Sequence, residues 1–178
     1  VTRQLTEEEV IARYGKPNQR GTYLRPVTLP FPLRVAWAPQ TLVRRLNCHK
    51  LEGDRIAAIF GDILAYYGPK RIRELGIDLF GGCFNYRRMK LHNAWSRHAW
   101  GIAIDLDPDR NGLHVDHTRA QFARPEYAPL IDAFESHGWI NLGRRLDMDW
   151  MHFEAGYSVP DRNASASPDD KNPFIAYG

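Results

Sequence analysis

The chain has 178 residues, 43% hydrophobic and 25% charged, a composition that fits one domain with one sizeable core and excludes wholesale disorder. No apolar run approaches the roughly 18 residues a membrane span needs, so stable insertion into a bilayer is not expected. The net charge of +3 favours anionic partners only in a general way; no motif or charge cluster of a nucleic-acid binder accompanies it.

Thr6-Glu7-Glu8-Glu9 has the spacing of a capping box and predicts a short helix that stops near Gly15. Between Lys16 and Gln40 stand five prolines and Gly21. Proline fixes φ and removes a backbone donor, so this stretch is expected to be an extended wrap with little regular structure. From Asp54 to Tyr67 the apolar residues Ile56, Ile59, Phe60, Ile63, Leu64 and Tyr67 recur at helical spacing, and Gly68-Pro69 ends the run. Lys70 to Leu75 makes another short helical piece before Gly76.

Ile77 to Phe84 reads as a strand interrupted by Gly81-Gly82. Gly101 to Asp107 reads as another, with Ile102, Ile104 and Leu106 alternating against Gly101, Ala103 and Asp105. Pro125-Glu126 opens a helix that closes at Gly138, and Met151 to Ala155 forms a last short strand. Residues 1–50 thus supply a helix and a wrap of the same domain, 51–156 the core, and 157–178 a polar tail expected on the surface or partly disordered. Cys48 and Cys83 are expected as buried free thiols, being too few for a disulfide framework.

Two segments carry chemistry. In Ser96-Arg-His98-Ala-Trp-Gly101-Ile-Ala103-Ile-Asp105 a loop turning into a strand at Gly101 brings a histidine towards an aspartate, and the small residues Gly101 and Ala103 leave room on the aspartate's face. In Asp149-Trp-Met-His152-Phe-Glu154 the alternation puts His152 and Glu154 on one strand face. Two imidazoles and a carboxylate, His98, Asp105 and His152, make the three-ligand set of a catalytic zinc site with a fourth position left for water. Asp149 lies within reach of that water as a general base. Glu154 or His92 can orient a ligand imidazole from behind. Asp107, Asp109, Asn111 and Gly112 copy the start of a calcium loop, but Thr118 stands where its last carboxylate belongs; an acid-rich turn is the other reading. Trp95, Trp100, Trp139 and Trp150 cluster around these segments, as groove-lining or as packing residues.

Ser-x-His-x-x-Gly-x-Ala-x-Asp at Ser96 to Asp105, with Asp-x-x-His at Asp149 to His152, resembles the signature of the D-Ala-D-Ala metallopeptidase family of cell-wall carboxypeptidases, dipeptidases and phage L-alanyl-D-glutamate endolysins. The resemblance covers about Phe80 to Ala155. It implies an α+β fold, a small antiparallel sheet carrying the zinc site with helices packed on it, of the hedgehog and D,D-peptidase type. It implies zinc at His98, Asp105 and His152, Asp149 as base, Arg87 or alternatively Arg88 on the substrate and its oxyanion, and Ser96 and Trp139 at the substrate wall. The substrate it implies is the peptidoglycan stem peptide, cut by a monomeric bacteriolytic hydrolase. An aspartate as base resembles the endopeptidase branch, with D-Ala-D-Ala carboxypeptidase or dipeptidase as the other activity, and a zinc-binding module without catalysis as the alternative outside the enzymes. With no leader of basic and apolar residues before Thr6, the expectation is a lysin held in the cytoplasm of the producing cell until release to the wall.

Overall fold

The computed structural model describes residues 2–89 and 93–158. A short strand β1 (Thr2–Gln4) leads into helix α1 (Glu7–Tyr14). The capping box forms as predicted: Thr6 Oγ1 accepts from the Glu9 amide at 3.2 Å and the Glu9 carboxylate accepts from the Thr6 amide at 2.8 Å. Gly15, at φ 79°, ends the helix.

The proline-rich stretch is no wrap. It forms a long antiparallel hairpin of β2 (Leu24–Val35) and β3 (Ala38–His49). Val27, Leu29, Phe31 and Leu33 alternate as buried residues along β2, while Pro26 and Pro30 lie exposed between them. Thr28 pairs with Arg45 and Leu33 with Val43, so Pro30 and Pro32 fall inside a bulge, where no ladder bond is required of them. The period-two signal was present and outweighed the prolines.

Helix α2 (Gly53–Leu75) runs through both predicted helical pieces and is kinked at Gly68, whose φ is 70°. Its buried face, Ile56, Ile59, Phe60 and Ile63, packs on β2. There follow β4 (Leu79–Gly82), a 3₁₀ turn at Arg97–Trp100, β5 (Ala103–Leu106), α3 (Pro108–Asn111), α4 (Ala128–Ser136), β6 (Trp139–Asn141), α5 (Leu142–Leu146) and β7 (His152–Ser158). The strands make one seven-stranded sheet in the order β1-β7-β5-β4-β2-β3, with β6 also paired to β7. The expected small antiparallel sheet is corrected here. The sheet is mixed, since β2 and β4 pair in parallel, and the first 50 residues supply three of its strands.

Trp100, Trp139, Phe60, Phe122, Phe134 and Phe153 are among the largest fully buried side chains, and Phe134 stacks on Phe153 at 4.1 Å. Burying such a side chain contributes about 1.5–3 kcal/mol, so this aromatic cluster anchors β6 and β7 behind the motif residues. Among the described residues no helix is long and apolar enough to cross a membrane.

Candidate metal centre

β5 and β7 are antiparallel neighbours with Asp105 directly opposite His152, which brings two of the three candidate ligands together across the ladder. His98 arrives from the 3₁₀ turn. Ser96 caps that turn by accepting from the His98 amide at 3.3 Å, and Gly101, at φ 67°, closes it. His98 Nε2 then lies 3.2 Å from Asp105 Oδ2 and 3.3 Å from His152 Nδ1, which is itself 3.0 Å from Asp105 Oδ1. The three residues offer donor atoms within 4.8 Å of one another.

Gly101 does not leave space for an ion or a substrate, as its small size suggested. A Cβ there would meet Leu24 Cδ2 at 2.6 Å and the His49 amide nitrogen at 3.1 Å, and its carbonyl accepts from that amide at 2.9 Å. The glycine is needed for the turn and for close approach to the hairpin. The open side of the site lies instead at Gly82, where an added Cβ would meet nothing.

Each imidazole is fixed from behind. His98 Nδ1 lies 2.7 Å from the Cys83 carbonyl oxygen, which can only accept, so its proton sits there and Nε2 presents a lone pair to the cluster. His152 Nε2 lies 3.0 Å from Glu154 Oε2, which leaves Nδ1 as its inward-facing atom. His98 Nε2, His152 Nδ1 and the Asp105 carboxylate thus converge. Burial opposes a charged His152 ring, yet its hydrogen bonds to the Asp105 and Glu154 carboxylates push its pKa up to about 10. Burial likewise opposes ionised Asp105, but the two histidines hold it well below the usual carboxylate range. Two imidazoles with one carboxylate, their donor atoms converging, suit a divalent metal ion.

Glu154 is buried, and burial alone would raise its pKa; the hydrogen bond from His152 and the nearby charge of Arg97 keep it below the usual range. The choice between Glu154 and His92 as orienting residue thus has Glu154 in place, whereas His92 lies outside the described residues. Asp149 is buried too, and burial raises its carboxyl against the neighbouring His152. Its Oδ1 has no hydrogen-bond partner and its backbone is left-handed, with φ 56°.

A pocket of about 50 Å3 opens on the cluster, lined by Gly81, Gly82, Cys83, Asn85, Arg87, His98 and Asp105. Arg87 therefore borders the site. Arg88 turns away, its guanidinium 4.3 Å from the Trp95 ring centroid and donating to the Asn93 carbonyl. A larger hollow of about 330 Å3, between the hairpin and β4, shares Gly82 and Cys83 with this pocket.

Several expected residues lie elsewhere. Trp139 is fully buried and donates to Glu52 Oε2 at 3.0 Å, so it is a core residue and not part of a substrate wall. Trp100 and Trp150 are buried as well. Ser96 is buried beneath the turn it caps, with no surface to offer a substrate. Asp107 is occupied by Arg110, at 2.6 Å, and by Asn111, and α3 takes the place of a calcium loop. Cys48 and Cys83 are free and buried, and burial pushes the Cys48 thiol up to about 12. Sequence reasoning did not single out Arg97, which lies 3.8 Å from Glu154 Oε1; its position next to His98 inside the motif was the available signal.

Residues 90–155 match the family model described as D-alanyl-D-alanine carboxypeptidase, a stretch that contains the whole His98, Asp105 and His152 cluster together with Asp149. No curated protein and no solved structure matches the chain. The signature and the convergent cluster both lie in that matched stretch, so this part of the chain is similar to the D-Ala-D-Ala metallopeptidase family.

Proposed function

We propose that the chain is a zinc-dependent peptidase of bacterial peptidoglycan, and within that class an L-alanyl-D-glutamate endopeptidase of the phage or prophage endolysin kind, acting on the wall after release. The observation that carries the reading is the convergence of His98 Nε2, Asp105 and His152 Nδ1, each imidazole fixed by an acceptor on its far side. When bound there, zinc supplies Lewis-acid polarisation of the scissile carbonyl and a lowered pKa for the attacking water.

The chain's own residues do the rest. Asp149 Oδ1, buried and unpartnered, takes the water proton and returns it to the leaving amine nitrogen. Its raised pKa suits a group that must both accept and release a proton. Arg87 at the pocket rim faces the charge that develops on the carbonyl oxygen. The adjoining hollow, beyond Gly82 and Cys83, gives room for substrate past the bond that is cut, which favours an endopeptidase.

The matched family model's description supports a second reading, D-alanyl-D-alanine carboxypeptidase. Digestion of purified peptidoglycan followed by mass spectrometry of the fragments separates the two. New amino termini on D-glutamate are the expected result. Release of D-alanine alone means the carboxypeptidase, and no cleavage by metal-loaded protein means a zinc-binding module without catalysis.

A further inference from the structure

We propose that Arg97 is a positioning residue for the metal ligand His152, acting through Glu154, and that it ties this pair to the N-terminal segment; the inference rests on the metal-site reading above. Glu154 is only 2% exposed. Its Oε2 is engaged with His152 Nε2, while Oε1 has no hydrogen-bond partner and lies 3.8 Å from Arg97 Nε, which is also buried without an acceptor. The other end of the same guanidinium donates to the Leu5 carbonyl at 2.5 Å. A chain of contacts therefore runs from Leu5 through Arg97 and Glu154 to His152.

Arg97 does not border the pocket at the cluster, so its work is done from behind. Leaving one oxygen of a buried carboxylate with no partner is costly, and Arg97, 3.8 Å from Oε1, is the group placed to hold that oxygen while Oε2 stays on the imidazole. Remove it, and Oε1 is left buried and unpaired. The carboxylate is then free to turn towards another donor, and His152 loses the group that directs Nδ1 inwards.

The Leu5 contact is one of a set. Glu7 accepts from the Trp95 amide at 3.2 Å, Gly15 O from Trp100 Nε1 at 2.8 Å, and Gly101 O from the His49 amide at 2.9 Å, while Tyr23 donates to Ala99 O at 2.6 Å. Residues from the first 50, none of them inside the matched family segment, thus grip the histidine-bearing turn on nearly every residue. Arg97 is the member of that set whose hold extends past the turn to the second histidine.

The test is the affinity of the full chain for Zn2+ and Co2+, measured by competition with a chromogenic chelator, for the parent, R97M, E154Q and the double variant. R97M is expected to bind either ion roughly 10- to 100-fold more weakly than the parent, the range seen when a group behind a ligand is lost. In the E154Q background R97M is expected to cause no further loss, and the Co2+ absorption spectrum of R97M to change in shape. Should R97M fail to fold by circular dichroism, R97K, which keeps the charge but lacks the fork that spans Leu5 and Glu154, is read in the same cycle. Parent-like affinity in the Arg97 variant, or a loss undiminished by E154Q, overturns the proposal. A parent chain that binds neither ion overturns the metal reading itself, which distinguishes the two failures.

Discussion

The Tyr23 hydroxyl donates to the Ala99 carbonyl at 2.6 Å and accepts from the Asn18 amide at 3.1 Å, so the residue leading into the hairpin steadies the turn that presents His98. Tyr23→Phe removes both bonds and leaves the carbonyl of a buried residue unsatisfied. The expected loss is about 1–3 kcal/mol of stability. At about 2–4 °C per kcal/mol for a chain of this size, thermal unfolding followed by circular dichroism resolves it.

His98→Ala, Asp105→Ala and His152→Ala are each expected to abolish stoichiometric metal content, measured by atomic emission on protein purified with one equivalent of Zn2+. Chelator treatment of the parent is expected to lower its melting temperature, because an ion that binds only the folded chain stabilises it by mass action. A variant lacking one of these side chains that still holds one ion removes that residue from the ligand set.

Asp149→Asn keeps the shape of the side chain and loses the base. Metal content is expected to stay at the parental level while kcat falls roughly 10²- to 10⁴-fold. Arg87→Ala is expected to lower kcat/KM, whereas Arg88→Ala, whose guanidinium rests on Trp95, leaves it near the parental value. Steady-state hydrolysis of a synthetic stem peptide reads all three.

His49 is buried against Tyr14 and Tyr23, and burial holds its pKa below the ordinary 6.5; Glu52 pulls the other way, Lys50 and Arg13 with burial. Its Nδ1 accepts from the Leu51 amide at 3.2 Å, which requires an unprotonated nitrogen. The unfolded chain takes up a proton near the ordinary value while the folded chain resists it. Its contribution to stability is therefore full above pH 6.5 and is lost as the pH falls below it. His49→Gln is expected to flatten the fall in melting temperature between about pH 7 and 5 relative to the parent. An unchanged slope assigns the pH dependence to other groups.

The cluster of His98, Asp105 and His152 was legible because strand alternation and a glycine turn are local properties, and both segments wrote theirs plainly. α1 was legible for the same reason, from its capping box. The hairpin was not. Its prolines were read as breakers, when a bulge and an exposed face accommodate them without loss of ladder bonds. Trp139 shows another limit: an aromatic beside a motif looks the same in sequence whether it lines a groove or donates to a buried Glu52 behind it. Arg87 was the first choice in sequence with Arg88 as its alternative, and the pocket lined by Arg87 and the Trp95 ring beneath Arg88 are what tell them apart. Residues 1–50 carry no motif because what they contribute to the site is largely backbone carbonyls and amides, which leave no trace in residue identity.

Asp149, with φ 56°, adopts a backbone shape that a residue with a Cβ takes only under strain of roughly 1 kcal/mol or more, and that glycine takes freely. On the proposed role of Asp149 as base, a glycine there would relax the approach to β7 at the expense of hydrolysis. Under that proposal the left-handed backbone is a local cost kept for the sake of a carboxylate, and screens for heat resistance alone would tend to discard it.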